Sequence, residues 1–594
     1  MVTENALLLK HFEKNGFDSS FFESYESVAA DKMQHIEAMC VALYNIKHSG
    51  QKIILYTDFD VDGIMSSVIG YAGLSALGFN VELFYPTPAD GYGFRSKDVD
   101  DIFNYHSNVS VILTGDVGIG SNEAIEYAHS KGVTVLVTDH HIGAEPCVAD
   151  VTVNPNQLGE TYSHNGICGA YVMYKILELY AQFFCDKRMQ VNIERLQMFA
   201  GIATISDIMP LVYENRQLVR TSVVLMQQLF ENNDSMMAAI STVPSAVYQR
   251  AFVGAYKLLK YFADIRKIKV FTDIDEQFYG FYLVPFLNSA KRMNGEMRCV
   301  YDIFFSQYIS VLPDFPNMSC VENGIKYVEI LSDRRKELIS DYYTRLTAER
   351  TAGETAESVF MQRGVYITDA TCGLLGLLAS KFQNETGLPV FVINKNEDGS
   401  YNGSGRNPSW FDLTSALAQY GLNIVCSGHR EAFGVFIPDY DTLLRYLDFY
   451  NDIIIPSQIM ASLDSTVDTR VSIAYGGCVA NSDFVSDMAQ IWDYISEADK
   501  FHPYGKAFPE PTFVYHVPLH NVIAQIFGTE KQHVKLKVRS DFEILLFNMA
   551  LDFERLKQSC DSHNPIISCE GRFRRNEFGG RTIVSFFAND VNIA

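Results

Sequence analysis

The sequence has no run of eighteen apolar residues, so no continuous apolar helix long enough to cross a bilayer is expected. Its 11 cysteines are scattered and form no C-x-x-C pair, which makes zinc fingers and disulfide frameworks poor readings. Reduced, mostly buried thiols fit a cytoplasmic protein. The opening stretch MVTENALLLKHFEKNGF carries acids and no long apolar segment, so it does not read as a secretory signal. There is no internal repeat and no long polar tract of low complexity, which argues against wholesale disorder. Positive charge is scarce: 48 Lys and Arg face 71 Asp and Glu, for a net charge of -23. Such a balance speaks against nucleic-acid binding over the whole surface. The distribution is uneven, however. Acids far outnumber bases over residues 1–160, whereas the two nearly balance over 501–594.

What is present is a long chain, 594 residues and 47% hydrophobic, enough for several domains. KIILYT (52–57), NVELFYP (80–86), VSVILTG (109–115) and VTVLVTD (133–139) read as short buried strands. Helical stretches such as GIMSSVIGYAGLSALG and NEAIEYAHSKG separate them, so a parallel sheet of βαβ units is expected. Residues 160–320 look mainly helical, and 324–352 reads as a long polar connecting helix. A second α/β segment opens at RGVYITD (363–369). PYGKAFPEP (503–511) has the Pro and Gly density of a linker. Beyond it, short alternating strands suggest a small barrel.

Ligands of parallel sheets lie beyond the carboxyl ends of the strands. Asp58, Asp116 and Asp139 fall at those ends, and YTDFDVDGI adds Asp60 and Asp62 within five residues of Asp58. TDHH adds His140 and His141, and SDIMPL contributes Asp207. Any one of these could be a helix cap or a loop residue. Together they form a set of oxygen and imidazole donors that suits manganese or magnesium. Several carboxylates can hold two divalent ions about 4 Å apart.

These motifs, DFDVDG, GDVGIG, TDHH and SDIMPLVYENRQLV, resemble the DHH phosphoesterase superfamily. PADGYGF, VPFLNSAKRMNG, NGSGRNPSWFDLTSAL and CSGHREAFG narrow the resemblance to its RecJ branch of exonucleases. The resemblance implies an α/β fold: a parallel-sheet DHH domain, a smaller α/β DHH-associated domain joined by a long helix, and a C-terminal OB-type β-barrel. Its parts would be a helical segment at 1–49, the catalytic domain with a helical extension at 50–322, and the connecting helix at 323–357. The substrate-binding DHH-associated domain would follow at 358–450, a helical linker at 451–510 and the OB domain at 511–594. It implies metal ligands at Asp60, Asp62, Asp116, His140 and Asp207, with Asp116 best placed to bridge two ions. Asp58 and His141 would ligate or stand just behind, and Asp139 would orient an imidazole. Tyr56 takes the place where related phosphatases carry a metal-binding histidine.

Substrate contacts are implied at Asn288, Arg292, Gly403, Ser404, Gly405, Arg406, Gly428 and His429. The glycines would let the backbone approach a phosphate, Ser404 and Arg406 would donate to it, and His429 would stabilise developing charge. An ordinary hairpin at 403–405, a packing histidine and a surface ion pair at Arg292 are the plain alternatives. In the C-terminal region KQHVKLKVR and GRFRRNEFGGR interleave bases with aromatics. Lys535, Lys537, Arg539, Arg572, Phe573 and Arg574 are expected to contact nucleic acid there. The expected activity is a two-metal exonuclease on single-stranded DNA, running 5′→3′ and releasing 5′-mononucleotides in repair and recombination. The alternatives are a phosphodiesterase for short oligonucleotides or cyclic dinucleotides, and an inactive replication scaffold. The resemblance suggests a monomer that works with a single-strand-binding protein or a helicase.

Overall fold

A computed structural model describes residues 5–24, 26, 31–86, 91–305, 320–353, 355–428, 430–458, 471–474, 483–484, 488–528, 531–560, 564–578 and 581–593. The chain divides into two compact units, each with its own core. The larger comprises Ala29–Met209 and Gln217–Ser465. The other gathers Met1–Val28, Pro210–Arg216 and Thr466–Ala594.

In the larger unit β1 (Ile53–Thr57), β2 (Val81–Phe84), β3 (Val111–Gly115), β4 (Thr134–Thr138) and β5 (Val151–Val153) form one sheet in the order β2-β1-β3-β4-β5. Every pairing is parallel, as the strand–helix alternation predicts. All residues of β1 and β3 are buried, which explains their unbroken apolar runs. The helix Val61–Ala76 is buried along nearly its whole length, because Met65, Val68, Ile69 and Ala72 belong to the same core as Leu55 and Leu113. Helices dominate the described residues from Gly169 to Phe305, and a helix of 33 residues, Cys320–Ala352, follows.

The second sheet is built from β6 (Val365–Ile367), β7 (Val390–Lys395), β8 (Tyr401–Arg406), β9 (Val425–Gly428) and β10 (Ala432–Ile437), in the order β6-β7-β8-β10-β9. Only β6 and β7 pair in parallel. It belongs to the same compact unit as the first sheet. The helix Cys372–Thr386 packs on β7 and β8, and its Gly373 lies against the backbone of Arg292.

The other unit carries β11 (Val471–Ala474), β12 (Asp483–Phe484), β13 (Phe513–Pro518), β14 (Ile523–Phe527), β15 (His533–Lys537), β16 (Phe542–Leu546), β17 (Ile566–Phe578) and β18 (Arg581–Ile593). Their order is β12-β11-β13-β17-β18-β16-β15-β14. The Pro- and Gly-rich stretch before β13 is packed rather than a free tether. Phe508 is fully buried, and the guanidinium of Arg216 beneath it donates to the carbonyls of Phe501, His502 and Pro503. A fully buried arginine needs this many acceptors, because its desolvated charge is otherwise prohibitive.

Candidate metal centre

Five aspartates and two histidines converge at the carboxyl ends of β1, β3 and β4. Asp58, Asp116 and Asp139 each directly follow one of those strands and are almost fully buried. Asp60 is the N-cap of the helix Val61–Ala76, its Oδ1 accepting from the N–H groups of Asp62 and Gly63 at 3.0 and 3.2 Å. Asp62, in the first turn, points the other way and accepts from Gly169 and Ala170 N–H, both at 2.8 Å, at the start of another helix. Two glycines make the crowding possible. A Cβ on Gly63 would stand 2.2 Å from the Asp58 carbonyl oxygen, and one on Gly169 would meet the Asp116 side chain at 2.6 Å. The backbone of Asp116 is itself left-handed, at φ 62°. A non-glycine residue held there is the kind of strain that functional sites carry.

His140 sits at the focus. Its Nε2 lies 3.2 Å from Asp116 Oδ1 and 3.6 Å from both Asp62 Oδ2 and Asp207 Oδ2. Burial holds this imidazole below its usual pKa, against the pull of Asp62 and Asp139. Burial pushes Asp116 well above the ordinary carboxylate range, helped by Asp62, Asp60, Asp58 and Asp139. Asp62 is raised by burial as well, and Asp58 is pushed up to about 7 by burial and by Asp60. Asp116 Oδ1 is buried and engages in no hydrogen bond. Buried carboxylates that repel one another around a ring nitrogen are surroundings that a divalent cation would stabilise. Three donor sets have ligand atoms within 4.8 Å of one another: Asp116, His140 and His141; Asp62, His140 and Asp207; and Asp58, Asp60 and Asp116. Their hard oxygen and imidazole donors fit Mn2+ or Mg2+.

Asp139 stands behind this set. Its Oδ1 meets His141 Nδ1 at 2.8 Å, and its Oδ2 accepts from Ile119 N–H at 2.9 Å. Burial opposes the charge of His141, but its bond to Asp139 prevails and lifts the imidazole to about 9. Asp139 therefore orients His141, the second histidine of the triad. Asn154 and Asn156 donate to the carbonyls of His141 and His140 at 2.9 and 2.7 Å and fix the loop. Tyr56 is turned away. Its hydroxyl donates to Gly93 O at 2.9 Å, and its ring packs between Phe84 and Phe94.

One arginine adjoins the carboxylates, and two more stand near it. Arg292 is buried near Asp60, and Arg335 and Arg406 each feel its charge. Burial lowers all three guanidinium pKa values, Arg335 to about 10. Arg406 Nε donates to Ser380 Oγ at 2.9 Å. Like charges gathered this way suit a phosphate. Ser404 Oγ lies within contact of Gly376 beside Arg406. A Cβ on Gly403 would strike Val392 O and one on Gly405 the Phe433 ring, so the sheet's own packing requires glycine at both positions. Asn288 sits at the junction of the helices Val284–Leu287 and Ser289–Arg292. Gly428 ends β9 with φ 131°, and His429 lies outside the described residues.

Sequence reasoning missed Lys291, Arg335 and Tyr92. Lys291 Nζ reaches Asp60 Oδ2 at 3.4 Å, and the Tyr92 hydroxyl lies 3.2 Å from His141 Nε2. Both stand inside stretches singled out for their neighbours, next to Arg292 and in GYGF, but nothing in the spacing distinguished them. Arg335 was hidden in a helix whose polar residues read as solvated. A cavity of about 650 Å³ opens beside His141, walled by Tyr92, Arg95, Lys97, Gly118 and Ile142.

On the C-terminal sheet the register places Lys535, Lys537, Arg572 and Arg574 on one face. Lys535 pairs with Glu543 at 2.9 Å, Arg539 with Asp541 at 3.2 Å, and both Arg572 and Arg574 with the buried Glu510. Phe573 corrects the sequence expectation. It is 3% exposed and packs against Phe513, Tyr515 and Phe586, because the period of two turns it inward between its arginine neighbours. Another row of aromatics lies elsewhere: the half-buried Phe527 and His533, the exposed Phe547 and the half-buried Phe587 follow one another at 5.1–5.9 Å between ring centroids.

Residues 52–202 match the DHH family, N-terminal domain, and residues 483–590 match the RecJ OB domain. These two matches lie in the first and last parts of the chain. Over most of its length the chain is similar to RecJ proteins. It is 24% identical over 509 residues to the single-stranded-DNA-specific exonuclease RecJ of Escherichia coli, covering 82% of this chain and 79% of that protein. It is also 24% identical over 555 residues to RecJ of Bacillus subtilis, covering 91% and 60%. The crystal structure of Thermus thermophilus RecJ with Mn2+ superimposes with a TM-score of 0.69 at 19% identity, over 98% of this chain and 75% of that one.

Proposed function

We propose that this protein is a metal-dependent exonuclease acting on single-stranded DNA, in the 5′→3′ direction and within DNA repair and recombination. The observation that carries the reading is the meeting of a buried, repelling carboxylate–imidazole cluster with three clustered arginines in one compact unit. The RecJ relatives, named for that activity, supply the substrate. Asp58, Asp60, Asp62, Asp116, His140 and Asp207 would hold the ions, with Asp116 shared between donor sets. Two divalent ions held there would lower the pKa of a bound water and offset charge on a phosphodiester.

The chain's own groups do the rest. Arg292 and Arg406 offer fixed guanidinium donors to the non-bridging oxygens, and Arg335 adds a third positive charge beside them. Asp139 fixes the ring of His141, and Asn154 and Asn156 keep the DHH loop from moving. The aromatic and basic face of the C-terminal sheet would hold the strand by stacking and backbone charge. The protein would work in the cytoplasm as a monomer, with a single-strand-binding protein or helicase supplying the strand.

A time course with Mn2+ on long single strands labelled at the 5′ or the 3′ end, beside a duplex and a dinucleotide, tests the reading. The expected result is immediate release of 5′-labelled mononucleotide, slow shortening of the 3′-labelled strand and little action on the duplex. Cleavage of the dinucleotide alone would replace the proposal with a short-oligonucleotide phosphodiesterase. No cleavage of any substrate would leave a binding scaffold.

A further inference from the structure

The C-terminal sheet ends on β14, which pairs on one side only, with β15. Its other side is open. Ile523, Ala524, Gln525 and Ile526 are all exposed, Ile523 by 71% and Ile526 by 44%. An edge strand presents a row of unpaired N–H and C=O groups, and proteins blunt such edges with charges, proline or a bulge. The strand β14 has none of these: it reads IAQIF, and its register with β15 is unbroken. The edge strand β2 of the first sheet, by contrast, carries Glu82, which is held by Lys52 and His106.

The register of β14 with β15 sets what could lie alongside it. On one face Ala524 and Ile526 continue the line of Leu536 and Val534, which are fully buried, so the core reaches the edge and stops uncovered. On the other face Ile523, Gln525 and Phe527 stand beside Lys537, Lys535 and His533. Lys535 is paired with Glu543 at 2.9 Å. Lys537 is exposed and forms no ion pair among the described residues.

We propose that β14 is a docking edge for an extended segment of another protein, one whose alternate residues are apolar and acidic. The backbone of that segment continues the sheet, its apolar side chains cover Ala524 and Ile526, and its acids meet Lys537 across Ile523. A strand's period of two is what sorts the two kinds of residue onto the two faces. A second copy of the chain fits less well: β14 has no acid to offer Lys537, and each copy carries a net charge of -23. A DNA backbone offers acceptors and no donors, so it answers only half of a strand edge. The inference does not depend on the nuclease reading above.

The test uses the full chain and a short peptide alternating valine and glutamate. One control peptide carries lysine in place of glutamate, and another carries methyl groups on its backbone nitrogens. Binding is read by fluorescence anisotropy, and its place by hydrogen exchange with mass spectrometry. The valine–glutamate peptide should slow exchange of the β14 amides and bind about five-fold more tightly than the lysine peptide. The methylated peptide should not bind. Lys537→Glu should reverse the preference between the two charged peptides, and Ile526→Asn should weaken both. Both positions are exposed, and circular dichroism reports whether each variant is folded. Slow exchange at β14 without peptide, with a doubled mass in sedimentation, would assign the edge to a second copy. Slowing by a single-stranded oligonucleotide and not by the peptide would assign it to nucleic acid. Either result overturns the inference, as does a β14 that exchanges equally with and without the valine–glutamate peptide, and each leaves the nuclease reading as it stands.

Discussion

At the carboxyl ends of β1, β3 and β4, Asp58, Asp62 and Asp116 are buried together, and the charges acting most on Asp116 are other carboxylates. On the C-terminal sheet Arg572 and Arg574 share the buried Glu510, and Lys535 has Glu543. In the first region the protein leaves the electrostatic balance open, and an added cation closes it. In the second it has closed the balance itself, so the same density of charge carries a weaker claim to bind anything. A cluster of charge in a sequence acquires meaning from whether its partners are supplied within the fold.

The sharpest way to break this comparison is Asp116→Asn. Asparagine tolerates the left-handed backbone at this position, so the change removes charge with little strain. Exonuclease activity should fall roughly a thousand-fold or more. Stability of the metal-free protein should rise by roughly 1–2 kcal/mol, since a buried, repelled carboxylate is gone. Mn2+ should no longer protect the fold in thermal melts. If metal-free stability drops instead, the cluster is held together by the protein's own groups and the contrast with the C-terminal sheet disappears.

Much of the candidate site was legible because its residues follow strand ends, where a parallel sheet must present them. DFDVDG and TDHH needed no long-range information to be placed together, whereas Asp207, at the end of the helix Gln197–Ser206, was reached through the resemblance. What could not be read was direction and partnership. Phe573 looked like a stacking residue because it stands between arginines, yet a strand's period of two turns it into the core. Arg335 and Lys291 gain meaning only from what folds against them. The glycines of GSGR suggested phosphate approach, and their packing against β7 and Phe433, far apart from them in sequence, could not be read.

The two kinds of aromatic on the C-terminal sheet can be separated directly. Phe573→Ala should cost about 3–5 kcal/mol of stability in denaturant melts, the usual loss for a core aromatic. Phe547→Ala, at a residue 41% exposed, should leave stability nearly unchanged. It should weaken single-strand binding by about 1–3 kcal/mol, the scale of one lost base–ring stack. Unimpaired binding in Phe547→Ala, measured by fluorescence anisotropy, would remove the aromatic row from the proposed interface.

Burial without charge compensation also exists in the smaller unit, at His11. It is 3% exposed, and burial pushes its pKa down to about 4. The folded form resists a proton that the unfolded chain accepts near 6.5. Stability is therefore full above about pH 6.5 and is lost as pH falls toward 4, by up to roughly 3 kcal/mol. His11→Leu should flatten that part of the pH profile in denaturant titrations. An unchanged profile would assign the acid sensitivity to other groups.

The smallest effect tests whether a closed charge balance can be reopened. Glu510→Gln leaves the shape of the buried side chain but removes the charge shared by Arg572 and Arg574. Stability should fall by roughly 1–3 kcal/mol, because both guanidinium groups lose a charged acceptor. If their sheet face meets nucleic acid, the freed arginines should raise single-strand affinity a few-fold at low salt. The dependence on salt should also steepen by about one counterion. The two readouts move in opposite directions, which a simple loss of folding does not reproduce. Equal affinity and an equal salt slope in a folded Glu510→Gln protein would show that this arginine pair is part of the sheet's own structure, and that single-strand binding depends on Lys537 and the row around the exposed Phe547 instead.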